Sequence, residues 1–430
     1  MSNEPAADPA AAGSEPRPLL LVVNRFDDEF GEYHRFVPGG SHRLAYLTTQ
    51  DGLAPLDQDG AVETVVVPDL DYDTLLPAAR RIIERHGPLA GIVGPSEFDL
   101  LTAARLGETL GVRGWSTDQV LRFRDKTVMK RLIQLAGVRA PRYLTVTAES
   151  DPAELAAELG LPLVVKPVDG AASRGVVVVH TEREIADALA QIPPGGSDYE
   201  AEEFVEGPIY HLDGVRYEGR FHFISPSAYV NTCLDYALGL PMGSVLLDPG
   251  PLRTQLTGFA AEALDALGLR DGPFHLEVIV TPAGEPVFLE VGLRPGGGGV
   301  PFLNRDLFGI DLFAEAFRSA VGLEPLTSEK ELSGIEASGG WLLFPEPVPV
   351  PQRLAGRNSL IGEVPEVYDE VLPEPGHVFD GNGGYDHAGG RFLFRAADQA
   401  AVQRAVLAVI ARYRLELDTA ALDTAAAVVG

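Results

Sequence analysis

FHLEVIVTPAGEPVFLEVGLRPGGGG, residues 274–299, restricts the fold of this chain more than any other stretch. Two runs rich in Val, Leu and Phe flank a Pro/Gly turn, the pattern of a β-hairpin. Each run carries one carboxylate, Glu277 and Glu290. Alternation puts His275, Glu277 and Ile279 on one face of the first strand, and Phe288, Glu290, Gly292 and Arg294 on one face of the second. An even-numbered loop around Ala283–Gly284 sets Glu277 opposite Glu290, whereas a three-residue loop of Pro282, Ala283 and Gly284 breaks that pairing. Like charges facing each other across a ladder destabilise it. A hard cation such as Mg²⁺, which takes carboxylate oxygens together with substrate phosphate oxygens, reverses the sign. Two exposed glutamates on a half-solvated strand are the other reading, and the hairpin alone does not choose between them.

At 430 residues the chain is too long for one core, and two or three domains are expected. No apolar run reaches the length of a membrane span. MSNEPAADPAAAGSEPRP, residues 1–18, lacks the basic and apolar regions of a signal peptide and reads as a disordered tail. A lone cysteine, Cys233, excludes an internal disulfide and a cysteine-based zinc cluster, and a cytoplasmic location is expected. The net charge of −28 argues against nucleic acid or an anionic membrane as partner. Only four of the 34 Lys and Arg side chains are lysines: Lys126, Lys130, Lys166 and Lys330. A chain that uses arginine almost everywhere keeps lysine where a compact ammonium on a flexible stem is needed.

PLLLVVNRF, VETVVVPDL and LAGIVGPSE read as strands, with helices over DYDTLLPAARRIIERHG and FDLLTAARLGETLGVRG between and after them. This alternation predicts a parallel α/β sheet over roughly the first 120 residues, with ligand-side turns at Asn24–Asp28 and Gly94–Glu97. From Asp125 the pattern becomes helix (DKTVMKRLIQLAGVRAP), Asp-capped helix, strand, Gly-rich loop, strand, helix and a strand through SDYEAEEFVEGPIY, the size of a small lid module. Further strands and helices follow to residue 325, then a β-rich part and a closing helix over AADQAAVQRAVLAVIARYRLEL.

KPVDGAASRGV (166–176) sets a lysine at a strand end before a loop of small residues, which lets backbone N–H groups approach phosphate oxygens; a plain hairpin turn has the same pattern. EEFVEG (202–207) alternates acidic and apolar residues, as an edge strand or an adenine-receiving strand does. EVGLRPGGGG supplies Arg294 four residues after Glu290, an arrangement suited to phosphoryl oxygens, then a glycine run too costly in entropy to be neutral in a strand. That run suggests close backbone approach to a ligand. The histidines show no HxxxH or HxH spacing, so zinc is not expected.

Taken in order, DKTVMKRLIQLAGVRAP, VVKPVDGAASRGV, EAEEFVEG, HLEVIV and FLEVGLRPGG resemble the ATP-grasp superfamily of carboxylate–amine ligases, on the side of its L-amino acid ligase (dipeptide synthetase) branch. The resemblance implies an α/β and α+β architecture. A tail at 1–18 is followed by a Rossmann-like N-terminal domain over 19–120 and a linker helix with a mobile lid over 121–205. A central α+β lobe with a β-rich extension occupies 206–430. It implies that Lys126 and Lys166 hold ATP phosphates, that Ser173 and Gly175 belong to the lid loop, and that Glu202, Phe204 and Val205 receive the adenine. Glu277 and Glu290 become ligands of one or two Mg²⁺ ions (Mn²⁺ substituting), and Arg294 stabilises the transferred phosphate. The family's Asn two residues after the second glutamate is Gly292 here. The chemistry implied is amide formation between small amino-acid-like substrates through an acylphosphate, releasing ADP and phosphate, and a homodimer is compatible with the family. An ATP-grasp carboxylase or purine-pathway ligase, or an idle nucleotide-binding module, are the alternatives. No MKM-type biotin-attachment signal is present.

Overall fold

The computed structural model describes residues 17–37, 40–170, 173–194, 198–326, 338–381 and 388–418. Most of the predicted tail, residues 1–16, lies outside them, as do Lys330 and loop residues 171–172. The chain forms two compact units, Met1–Trp115 and Ser116–Gly430.

The first unit is built on a parallel sheet in the order Glu63–Val66, Arg43–Thr48, Leu19–Asn24, Leu89–Val93. Leu19, Leu21 and Val23 pack against Leu75 and Ile82 of helix Tyr72–His86 and Leu106 of helix Leu100–Leu110. The parallel sheet and both helices match the sequence reading, but strand Arg43–Thr48 was not foreseen. Its apolar run RLAYLT is short, and only pairing on both sides makes it a strand. The turns after the strands are fixed internally. Asn24 Nδ2 donates to the Phe26 and Gly52 carbonyls, and Arg25 forms a two-pronged pair with buried Asp99 at 3.0 and 2.7 Å.

In the second unit, helix Lys126–Leu135 precedes a four-stranded antiparallel sheet ordered Tyr143–Val146, Tyr199–Glu203, Leu163–Pro167, Val177–Val179. Helices Pro152–Leu159 and Glu182–Leu189 cover it through Leu155, Leu159, Ile185 and Leu189. The last strand of this sheet in the chain ends at Glu203, earlier than the sequence suggested, because Phe204–Pro208 lead out towards the next sheet. That next sheet has eight antiparallel strands, ordered Pro286–Gly292, Gly272–Val280, Ile209–Tyr217, Arg220–Asn231, Met242–Leu246, Ser338–Phe344, Gly390–Ala396, Val367–Val371. Two further differences from the sequence reading concern helices. Val300–Phe308 is a helix opened by Gly299 and Pro301, and the closing helix stops at Arg412, after which Leu415–Asp418 pairs with Gln352–Arg357.

Candidate active site

Asp125 caps helix Lys126–Leu135 by accepting from the Thr127 and Val128 amides at 2.9 and 3.0 Å, which puts Lys126 at the first position of the helix. Its Nζ donates to the Gly170 carbonyl at 2.6 Å and lies 3.2 Å from Glu290 Oε2. Lys166, near the end of strand Leu163–Pro167, is 4% exposed and donates to Glu202 Oε1 at 2.6 Å. Burial lowers its pKa, but Glu202, Glu200 and Glu290 more than offset that and raise it to about 12. The same pairing works on Glu202. Burial raises its carboxyl, Lys166 and Lys130 outweigh burial, and the group falls to about 2.

Strand Gly272–Val280 does face Glu277 to Glu290, though not through an even-numbered turn. Val280 pairs with Pro286, leaving the five-residue loop Thr281–Glu285, closed by hydrogen bonds between Thr281 and Glu285. The register then slips, since Val278 faces Phe288 while Glu277 faces Glu290. Leu289 is therefore an extra residue, and this β-bulge restores the opposition that an odd loop removes. Glu277 is 7% exposed, which rules out the solvated-glutamate reading for it. Burial pushes its pKa up, but hydrogen bonds from His275 and Tyr229 bring it below the usual carboxylate range. Tyr229 donates to it at 2.8 Å and His275 Nε2 lies 3.5 Å away. Each of the two facing carboxylates thus has its own counter-group, which relieves the like-charge contact.

Behind Glu277, buried Asp213 accepts from His211 Nδ1 at 2.6 Å and from His275 Nδ1 at 2.8 Å, while His211 Nε2 meets Ser244 Oγ at 2.5 Å. These three side chains are near enough to share a metal ion. Both separations between Asp213 and a histidine are hydrogen-bond lengths, however, whereas ligands at about 2.0–2.2 Å from one ion stand farther from each other. The cluster is an ion-paired network. Burial lowers the pKa of His275, and Asp213 carries it the other way to about 9. No linear spacing announces the set, because His275 and Asp213 meet as facing residues of neighbouring strands.

A cleft of about 520 Å³ gathers eight of the residues singled out from sequence: Lys126, Lys166, Ser173, Glu202, Phe204, Val205, Glu277 and Glu290. Gly175 and Arg294 do not line it. Gly175 serves the turn itself, with φ +72° and Pro167 Cγ 3.0 Å from where a Cβ would stand. Arg294 folds back over Gly292, whose missing Cβ would lie 3.3 Å from Arg294 Cγ, and donates to the Pro295 carbonyl. Its charge reaches His275. The Glu202 carboxylate is engaged by Lys130 and Lys166, so the apolar wall expected for a base falls to Phe204, 44% exposed, and Val205.

The glycine run is corrected. A Cβ at Gly299 would sit 2.3 Å from Trp341 Cβ, one at Gly298 3.1 Å from the same indole, and one at Gly296 2.2 Å from Asp213 Oδ1. These glycines make room for protein side chains. Sequence reading passed over His211 and Asp213 and gave Lys130 no role. Tyr229 and the wall Asn231–Asp235, where Thr232 and Asp235 form a capping box for the short helix Cys233–Ala237, fall in SAYVNTCLDYALGLPMGS, a segment expected from sequence to help build the substrate pockets. For Lys130 a signal existed, the scarcity of lysine.

A lysine-bearing helix, a lid sheet with a second lysine and an antiparallel hairpin with facing carboxylates define the ATP-grasp fold. An L-amino acid ligase from Bacillus licheniformis superposes with a TM-score of 0.73 at 20% identity, over 94% of this chain and 99% of that one. The curated relatives narrow the class. An L-arginine-specific L-amino acid ligase of Bacillus subtilis is 25% identical over 386 residues, 86% of this chain and 91% of the relative. A D-alanine–D-alanine ligase of Pseudomonas entomophila is 28% identical over 181 residues, 40% of this chain and 55% of the relative. No protein-family model matches. The chain is thus similar in sequence to amino acid ligases and shares the fold of a solved L-amino acid ligase. No helix among the described residues is long and apolar enough to cross a membrane.

Proposed function

We propose that the protein joins the carboxylate of one small amino-acid-like substrate to the amine of another at the expense of ATP. One observation carries this reading: Lys126, Lys166, Glu277 and Glu290, from three separate parts of the chain, converge on one cleft. A carboxylate oxygen of the first substrate attacks the γ-phosphorus of ATP and ADP leaves, giving an acylphosphate. The amine of the second attacks the acyl carbon, phosphate leaves, and the amide forms with release of a proton.

Phosphoryl transfer of this kind needs positioning and charge neutralisation more than covalent chemistry from the protein. Lys126 and Lys166 provide mobile ammonium groups for the phosphate oxygens, and the lid loop at Ser173 and Gly175 provides backbone N–H groups. Phe204 and Val205 give the base an apolar surface. The facing carboxylates Glu277 and Glu290 fit a hard divalent cation, with Tyr229 and His275 fixing the orientation of the first. Glu277 and Glu290 would hold Mg²⁺ (or Mn²⁺), which would supply charge neutralisation for the phosphates. Gly292 offers no side-chain oxygen, which favours one tightly held ion. Arg294 lies outside the cleft wall and reaches the phosphate only if its stem swings off Gly292. A lid over 121–205 keeps water from the acylphosphate. A homodimer and a cytoplasmic setting belong to the same proposal.

Chromatography of nucleotide products, with Mg²⁺-ATP and pooled amino acids as carboxylate and amine donors, tests the reading. ADP and phosphate appearing only with the pool support it. AMP and pyrophosphate refute it.

A further inference from the structure

Lys130 is fully buried and does not line the cleft. It lies one helical turn after Lys126, on the same helix face, and its Nζ donates to Glu200 Oε1 at 2.5 Å and to Glu202 Oε2. Glu200 and Glu202 alternate along strand Tyr199–Glu203, so both project to the same side. Lys166, facing Glu200 in the sheet register, completes the group from the cleft side, 2.6 Å from Glu202 Oε1 and 3.9 Å from Glu200 Oε1. Two ammonium groups and two carboxylates share one dry space, and their formal charges cancel. Glu200 depends on Lys130, since its other oxygen, Oε2, has no hydrogen-bond partner among the described residues.

The two lysines are not equivalent. Lys166 borders the cleft and has a phosphate to turn to, whereas Lys130 has nowhere else to go. If Lys166 transfers its ammonium to a phosphate, Glu202 loses the partner on Oε1 and keeps only the one on Oε2. Without Lys130, that movement would strand two carboxylates in a buried site, and such an uncompensated charge is strongly unfavourable. Lys130 is also one of only four lysines in an arginine-rich chain, and the two cations are not interchangeable.

We propose that Lys130 is a positioning residue, the resident counter-charge of Glu200 and Glu202 that frees Lys166 to engage the nucleotide phosphates. The proposal rests on the ATP-site reading above. It predicts how much the phosphates of ATP add to binding, measured as the ratio of adenosine to Mg²⁺-ATP dissociation constants by displacement of a fluorescent nucleotide. In Lys130→Met, Lys166 leaving would strand two charges instead of one, and the ratio falls at least tenfold. In Lys130→Met/Glu200→Gln it would again strand one, and the ratio recovers towards wild type. In Glu200→Gln alone it would strand none, and the ratio rises. The last variant retains both lysines and Glu202, so it decides the matter even if Lys130→Met does not fold. A purely structural role for Lys130 would move adenosine and ATP binding in parallel and leave Glu200→Gln at the wild-type ratio; that outcome overturns the proposal. Lys166→Ala separates the two levels of inference. If it leaves the ratio unchanged, the ATP-site reading itself fails. If it lowers the ratio while Glu200→Gln and the double variant stay flat, only the role of Lys130 fails.

Discussion

In a Glu277→Gln variant the side chain keeps its shape, and Tyr229, 2.8 Å away, still has an oxygen to donate to. His275 also keeps its main partner, Asp213 at 2.8 Å. What disappears is a charge 3.5 Å from His275 Nε2. At an effective dielectric near 20, that pair is worth about 5 kcal/mol of gross attraction. Because Asp213 still pairs His275, the net loss is of the order of one charge-assisted hydrogen bond, about 1.5–3 kcal/mol. Thermal denaturation should therefore shift down by only several degrees. Turnover should fall far more, by about a hundred-fold or greater, equivalent to roughly 2.7 kcal/mol of transition-state stabilisation. The assay is the initial rate of ADP release across a Mg²⁺ titration, paired with a melting curve on the same sample. Retention of more than about a tenth of wild-type turnover, with unchanged Mg²⁺ dependence, would refute the metal assignment. A melting point lowered by tens of degrees would instead show that Glu277 is mainly a structural carboxylate.

Other perturbations follow from the same geometry. Lys166→Ala should raise the ATP concentration needed for half-maximal rate at least tenfold, and an unchanged ATP dependence in a rate assay removes Lys166 from the phosphate site. Gly299→Ala drives a methyl to within 2.3 Å of Trp341 and should destabilise the fold by about 1–3 kcal/mol or more, read as a lower melting point; a neutral result contradicts the packing role of the glycine run. Glu202 sits at about 2 against an ordinary 4.5, so its charged form stabilises the fold above pH 4.5, and that contribution is lost as pH falls towards 2. The melting-point gap between wild type and Glu202→Gln should be constant above about pH 5 and close below it, whereas a gap that stays full-sized at pH 3 and below contradicts the pairing. At the other end, Lys166, raised to about 12 from an ordinary 10.5, contributes fully below pH 10.5 and loses that contribution as pH climbs through 12.

Much of the site was legible because its signals are local. A glutamate inside each of two apolar strands, a lysine directly after the capping residue Asp125 and a lysine at the end of a strand are patterns of one residue and its neighbours. Lys126, Lys166, Glu277 and Glu290 line one cleft. The Asp213 network was not legible, because its two histidines come from neighbouring strands and are joined only by sheet register. The glycine run was read as making room for a ligand when it makes room for Trp341, some forty residues further along the chain.

The amino-acid sequence by itself determined which segments become strands and helices in most of the chain, where helices are capped, and which residue types are present to neutralise phosphate. Those properties depend on propensity, alternation and side-chain chemistry within a few residues. The tertiary structure decided how charges are distributed among them. The odd hairpin loop would have turned Glu290 away from Glu277, and the bulge at Leu289 turned it back. Only packing of helix Lys126–Leu135 on the lid sheet made Lys130 a buried partner of Glu200 and Glu202 while leaving Lys166 at the cleft. The strength of an ion pair depends on burial and on distances of a few ångströms between groups tens of residues apart, and neither is set until the sheets have assembled.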